Sequence, residues 1–368
     1  MNLTQQFPFT YGWDTHWQKI WDLTDYQHSG WVPVRMTADF GQQFKVATDK
    51  GECIAEYSGK LRHAIEAGAE IPAVGDWLAA ELFPGESKAR IHGVLPRRSK
   101  ISRKAAGTPV REQIIATNID ILFIVTSLNL DLNLRRLERY LIMAWNSGTQ
   151  PVIVLSKADL CDPDFRLQAL NDVSLIAPGI PVHIVSAQTG EGIDELAHYF
   201  SDFRSCALTG TSGCGKSTLT NALIGKEVQR TSDIREDDSR GRHTTTHRQM
   251  FEMPHGGILI DTPGMRELQL WDGEEDGIKG TFSEIDTLAQ HCKFRDCTHH
   301  QEEGCAVKEA IDQGELLEER LNSYRKTQRE QKFLERKEKS RSFTERQGGS
   351  HRQNQKKQRR DKSWLNEE

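Results

Sequence analysis

The chain has 368 residues, 36% of them apolar, and its 48 Lys and Arg against 53 Asp and Glu leave a net charge of −5. That length predicts several domains rather than one. No apolar run approaches a membrane span and the amino terminus lacks a basic-then-apolar leader, so a cytoplasmic protein without a membrane partner is expected.

Seven cysteines, an odd number spread along the chain, argue against a disulfide framework and suit a reducing compartment with a local metal site. Charge is segregated: 320–362 is strongly basic, so the remainder is acidic.

Residues 1–30 form an extension in which Trp13, Trp17 and Trp21 recur every four positions, predicting one face of a helix packed on the next domain. From 31 to 104 the pattern becomes short and alternating. Val32–Thr37, Phe44–Thr48, Cys53–Tyr57, Asp76–Ala80 and Ala89–Leu95 read as strands, with Asp49-Lys-Gly51 and Ser58-Gly59 as turns between them. Five short strands predict a small β-barrel, and the OB-fold is the commonest five-stranded choice. Arg97, Arg98, Lys100, Arg103 and Lys104 make a basic exit, read equally as solvated linker or phosphate-contacting patch.

Residues 113–280 alternate strands and helices. Ile119–Val125, Pro151–Leu155, Pro181–Val185 and Gly257–Ile260 read as buried strands, and Leu134, Leu137, Leu141 and Trp145 as one face of a helix ending near Gly148. This predicts an α/β domain with ligand loops at the carboxyl ends of its strands. One such loop, Gly210, Thr211, Ser212, Gly213, Cys214, Gly215, Lys216, Ser217 and Thr218, matches G-x-x-x-x-G-K-[ST] between an apolar strand and a helix. Backbone N–H groups can turn inward there around phosphate oxygens. Lys216 is expected on the β- and γ-phosphates and the Ser217 hydroxyl on Mg²⁺.

Three further segments carry nucleotide chemistry. Ser156, Lys157, Ala158 and Asp159 resemble the N/T-K-x-D element of GTPases, whose Asp accepts from guanine N1 and the exocyclic amino group. Ser186 and Ala187, after the next strand, resemble the base-closing loop. Asp261-Thr-Pro-Gly264 fits D-x-x-G, with Asp261 helping to hold Mg²⁺ and the Gly264 N–H facing the γ-phosphate. Between the phosphate loop and Asp261, Gly241–Thr246 resembles a switch segment, with Thr245 taken as the Mg²⁺ ligand.

The order is inverted relative to ordinary GTPases, because S-K-x-D and S-A precede the phosphate loop. The permuted order, the barrel and a Cys/His cluster beyond it together resemble the RsgA family, also called YjeQ or EngC, over roughly residues 31–310. The resemblance implies three parts: an OB-fold barrel, a circularly permuted P-loop GTPase domain and a C-terminal helical zinc-binding domain at 281–325. It implies a GTPase acting late in maturation of the small (30S) ribosomal subunit, with 16S rRNA as partner and the chain a monomer. A P-loop ATPase, or an RNA-binding assembly factor with nucleotide as a structural ligand, is the alternative.

Cys292, Cys297, His299 and Cys305 give C-x4-C-x-H-x5-C, three thiolates and an imidazole as in a closed structural Zn²⁺ site. His291 and His300 compete for the imidazole position on spacing; the resemblance selects His299. The segment 326–368 reads as a basic, disordered tail suited to rRNA. Many GTPases orient the attacking water with a Gln just after D-x-x-G, and here that place is Met265. A thioether cannot do this, so slow intrinsic hydrolysis is expected, with His243 as the candidate water-positioning residue.

Overall fold

The computed structural model describes residues 8–41, 43–104, 112–129, 132–227, 248–254, 256–261, 275–300, 302–332 and 336. An aromatic helix leads. In α1 (Thr15–Asp22) the Asp14 carboxylate caps the first turn by accepting from the His16 and Trp17 amides. Four-residue spacing puts Trp13, Trp17 and Trp21 on one side, buried against Trp77 and Leu95 of the following barrel. Burying indoles of this size removes the largest apolar areas available to side chains, so the extension is docked.

The barrel comprises β1 (Val32–Asp39), β2 (Phe44–Thr48), β3 (Gly51–Tyr57), β4 (Trp77–Leu82) and β5 (Lys88–Val94). Its order is β1-β2-β3-β5-β4, and β4 pairs back to β1 to close it, with β3–β5 the parallel pair. Val34, Met36, Val46, Leu78 and Ile91 fill the interior. The expected turn at Ser58-Gly59 is instead the start of α2 (Gly59–Glu66), because the Ser58 hydroxyl accepts from the Leu61 amide as an N-cap. The same residue types serve turns and helix starts.

Beyond the barrel, β6 (Lys100–Lys104) and β7 (Glu112–Thr117) form an antiparallel ribbon. Three cations of the basic exit, on the link from β5 to β6 and at the start of β6, are ion-paired rather than open to phosphate. Arg97 bonds Asp76 and Glu70, Arg98 bonds both Asp14 oxygens at 2.6 Å, and Lys100 lies 3.0 Å from Glu70. Their charge is neutralised locally.

The α/β part runs β8 (Ile121–Ser127), α3 (Leu134–Asn146), β9 (Gln150–Ser156), α4 (Pro163–Ile176), β10 (Val182–Ile184), α5 (Ile193–Ala197), β11 (Ser205–Gly210), α6 (Lys216–Ile224), β12 (Arg248–Glu252) and β13 (Ile258–Asp261). Its sheet order is β10-β9-β8-β11-β13-β12, parallel except for β12. From β8 the chain winds outward through β9 and β10, then returns to place β11 on the other side of β8. That reversal opens a crevice between the carboxyl ends of β8 and β11, where ligands of doubly wound sheets bind. β12 also pairs with β1, Ala38 opposite Gln249 and Asp39 opposite Arg248, so barrel and sheet form one eleven-stranded ladder.

Arg35 fastens this junction. Its guanidinium is fully buried and donates to the carbonyls of Tyr11, Gly75 and Asn118, the last two at 3.3 and 3.1 Å. Burial lowers its pKa to about 10, opposed by Asp120 and Asp76, so the group stays charged at neutral pH.

Chain contacts divide the protein into two compact units, 1–271 and 272–368. The second contains α7 (Glu275–Thr281), α8 (Ser283–Ala289), α9 (Ala306–Asp312) and a helix at 318–332. Phe282, Ile285, Val307 and Leu321 are buried in it. Arg320 crosses it, 2.7 Å from Glu284 and over the Phe282 ring at 4.3 Å. Among the described residues no helix is long and apolar enough to cross a membrane.

Candidate functional site

The phosphate loop springs from β11, whose residues are all buried. Gly210 has φ 146°, and a Cβ there would lie 2.1 Å from the Val125 carbonyl oxygen of β8, so close packing at the crevice floor requires glycine. Gly215, with φ 91°, is the left-handed N-cap of α6. Ser212 and Gly213 are exposed at the tip, Cys214 is buried beneath, and Ser217 and Thr218 lie in the first helical turn. The Lys216 ammonium donates to the carbonyls of Gly210, at 2.8 Å, and Thr211, which holds it across the mouth of the loop. Cation, helix start and turned backbone together suit a polyphosphate.

A turn after β9 meets this loop, and a loop after β10 meets that turn. β9 ends at Ser156, whose hydroxyl donates to the Cys214 carbonyl at 2.6 Å. A side chain at Gly215 would meet both Ser156 Oγ and Lys157 Cε at 3.9 Å, so this turn rests directly on the phosphate loop. Lys157 takes φ 60°, an uncommon left-handed state for a residue with a Cβ. That kink directs Ala158 and Asp159 into a 3₁₀ turn, where the Ala158 amide donates to Val185 at 3.1 Å. After β10, the Ser186 hydroxyl donates to Asp159 Oδ1 at 2.6 Å, and Ala187 follows it. Asp261 ends β13, immediately beside β11 in the sheet. The segments 156–159, 186–187, 210–218 and Asp261 therefore gather at the carboxyl ends of one parallel sheet. His243, Thr245, Gly264 and Met265 lie outside the described residues.

The metal candidate stands apart in the second unit. The ligand atoms of Cys292, Cys297, His299 and Cys305 all lie within 4.8 Å of one another. Cys292 Sγ is 4.0 Å from Cys305 Sγ, and His299 Nδ1 is 3.7 and 3.4 Å from those two sulfurs. A tetrahedral ion with metal–sulfur bonds of about 2.3 Å and a metal–nitrogen bond of about 2.0 Å requires edges of roughly 3.8 and 3.5 Å, which the Cys292, His299 and Cys305 donors match, with Cys297 Sγ within 4.8 Å of them. His299 is buried, whereas His291 and His300 are exposed and His291 Nδ1 donates to the Thr287 carbonyl. The loop is held from outside the cluster. Arg325 donates to the His299 carbonyl, where φ is 58°, and the Glu302 carboxylate accepts from the Thr298 and His300 amides. The Thr298 hydroxyl and these amides hold the Glu302 carboxyl well below the usual range.

Sequence reasoning passed over Arg166 and Glu191, which lie against the base-side loops. Neither belongs to a spaced motif, and no local pattern marks them. The carbonyl that Ser156 reaches was equally invisible, being 58 residues away.

Comparison with known proteins agrees with this geometry. A sequence model described as RsgA GTPase matches residues 94–271. The chain is 46% identical over 313 residues to a Lactiplantibacillus plantarum protein named small ribosomal subunit biogenesis GTPase RsgA 2, covering 85% of this chain and 86% of that one. An Opitutus terrae protein named small ribosomal subunit biogenesis GTPase RsgA is 43% identical over 334 residues, covering 88% and 90%. Among solved structures, YjeQ from Thermotoga maritima matches with TM-score 0.61 at 27% identity, over 81% of this chain and 98% of its own. YloQ, described as a circularly permuted GTPase, matches in fold with TM-score 0.62 at 22% identity, over 83% and 96%.

Proposed function

The chain belongs to the RsgA GTPase family, and from that premise we propose that it hydrolyses GTP to GDP and phosphate on the small ribosomal subunit, assisting its biogenesis. The observation that carries this reading is the meeting of Ser156–Asp159, Ser186 and the phosphate loop at one end of the sheet, in permuted chain order. Asp159 accepts from guanine N1 and the amino group, which adenine cannot supply. Ser186 orients that carboxylate, and the Lys157 stem lies along the base. Lys216 and the loop amides neutralise the β- and γ-phosphates. Ser217, Thr245 and Asp261 would hold Mg²⁺, which would supply further neutralisation of phosphate charge. His243 orients the attacking water in place of the Gln that Met265 displaces.

The second unit has a structural part. Cys292, Cys297, His299 and Cys305 would together hold a Zn²⁺ ion that fastens the loops as a structural rather than catalytic site. The barrel and the basic tail contact 16S rRNA, and the chain works as a cytoplasmic monomer. Intrinsic turnover is slow, and binding to the subunit accelerates it.

Hydrolysis of GTP with and without purified small subunits, in the presence of excess ATP, tests this. The expected result is a kcat raised by the subunits and no competition by ATP. Equal kcat in both conditions removes the coupling, and displacement of labelled GTP by ATP points instead to an ATPase. Unimpaired function of Lys216→Ala in cells reduces the nucleotide to a structural ligand.

A further inference from the structure

We propose that Arg166, with Glu191, is a positioning residue that sets how tightly the Asp159 carboxylate holds guanine; the proposal rests on the guanine-nucleotide reading above. The placement begins with a helix cap. Asp162 accepts from the Phe165 amide at 2.9 Å and Pro163 occupies the first turn, so α4 starts immediately after the base-side turn. Arg166 in that first turn points its guanidinium back along the chain. Nε donates to the Cys161 carbonyl at 3.1 Å, and Nη2 donates to the Ala158 carbonyl. Those two carbonyls flank Asp159 on either side. Nη1 faces both Glu191 oxygens, at 3.1 and 3.3 Å.

Glu191 belongs to the second loop. Its carbonyl accepts from the Ser186 amide at 2.9 Å, and the Gly190 amide donates to the Ser186 carbonyl at 2.9 Å. The Ser186 hydroxyl then donates to Asp159. The bonds therefore close a ring: Asp159, Ser186, Glu191, Arg166, and back through Ala158 and Cys161 to Asp159. Only an arginine can fill its place, because three nitrogens in one plane serve three partners at once and an ammonium on a flexible stem cannot. The ion pair alone is a weak cause. The Arg166 and Glu191 side chains are 24% and 47% exposed, and solvent screens such a pair to little net value. The two carbonyl bonds on the turn itself are the stronger part. They restrain a segment that leaves Lys157 in a left-handed conformation.

Loss of this brace falls on the base, whereas the phosphate loop keeps its own contacts from Ser156 and Lys216. The test titrates GDP and IDP into full-length Arg166→Met, Arg166→Lys, Glu191→Gln and the unaltered chain, and measures GTP turnover at saturation. Inosine lacks the amino group, so it depends less on where Asp159 stands. For Arg166→Met the GDP dissociation constant is expected to rise about tenfold, the loss of roughly one hydrogen bond's worth of affinity. The IDP-to-GDP ratio should fall and kcat should stay unchanged. Arg166→Lys should follow Met rather than the unaltered chain, and Glu191→Gln should cost about twofold, as for an exposed pair. The last two variants carry the test if Arg166→Met does not fold. An unaltered ratio in Arg166→Met or Arg166→Lys, with normal GDP binding by the unaltered chain, overturns the proposal alone. Failure of the unaltered chain to bind GDP overturns the guanine reading and the proposal with it.

Discussion

Replacing Arg35 by Met should loosen the junction between the aromatic extension, the barrel and the α/β sheet. Three carbonyls, from Tyr11, Gly75 and Asn118, depend on the one guanidinium, which also lies 5.3 Å from the Trp77 ring centroid. The Gly75 carbonyl keeps a second donor, the Asn118 side-chain amide at 3.0 Å, so the loss falls chiefly on the buried Asn118 carbonyl. Each buried acceptor left without a partner costs about 1–3 kcal/mol. Removing a buried charge returns part of its desolvation penalty, so the net loss is expected near about 2 kcal/mol. Trp13, Trp17, Trp21 and Trp77 cluster beside this residue, which makes tryptophan fluorescence the local probe. In guanidinium chloride, with m near about 4 kcal/mol/M, the fluorescence midpoint should fall by about 0.5 M. Arg35→Lys keeps the charge but not the fork and should fall between the two. A midpoint for Arg35→Met equal to that of the unaltered protein would refute the account of the junction.

The acid limb of the same fluorescence transition should depend on Asp14. Burial alone would raise its carboxyl, but bonds from Arg98 and the Trp17 and His16 amides outweigh it and hold the pKa below its ordinary value. A depressed carboxyl stabilises fully above its unfolded pKa of about 4 and loses that contribution as pH falls through the folded value. Asp14→Asn should therefore be less stable at neutral pH and flatter in the acid range; identical acid profiles would sink this. Ser186→Ala removes the donor to Asp159 and should weaken GDP binding about three- to tenfold with kcat intact, read by nucleotide titration. Cys305→Ser, or a strong chelator, should release bound metal and abolish hydrogen-exchange protection in 275–332; retained protection after metal loss would refute a structural site.

The phosphate loop, the barrel strands and the Cys/His cluster were legible because each is written within a short span. A strand such as Phe44–Thr48 declares itself by alternation, and G-x-x-x-x-G-K-S carries its own backbone requirements. The tryptophan face was readable for the same reason, since helical spacing alone decides which side is apolar. Even locally, one pattern can serve two ends: Ser58-Gly59 suits a turn or a helix start, and only the bond to Leu61 distinguishes them. α4 and β12 were missed, the first because Leu167 and Leu175 face outward and blur its apolar stripe.

What the chain's order of residues determined by itself was most of the barrel and sheet strands, the tryptophan-faced helix, and which short motifs are expected to carry phosphate- and metal-binding chemistry. Tertiary structure alone decided who meets whom. Asp14 finds Arg98 across 84 positions, Ser156 finds Cys214 across 58, and Asp159 finds Ser186 across 27. A hydrogen bond or an ion pair acts over a few ångströms, so its partners are set by how strands are ordered in the sheet. That order follows from burying both faces of β8, β9 and β11 at once, a requirement on the whole molecule that no local pattern records.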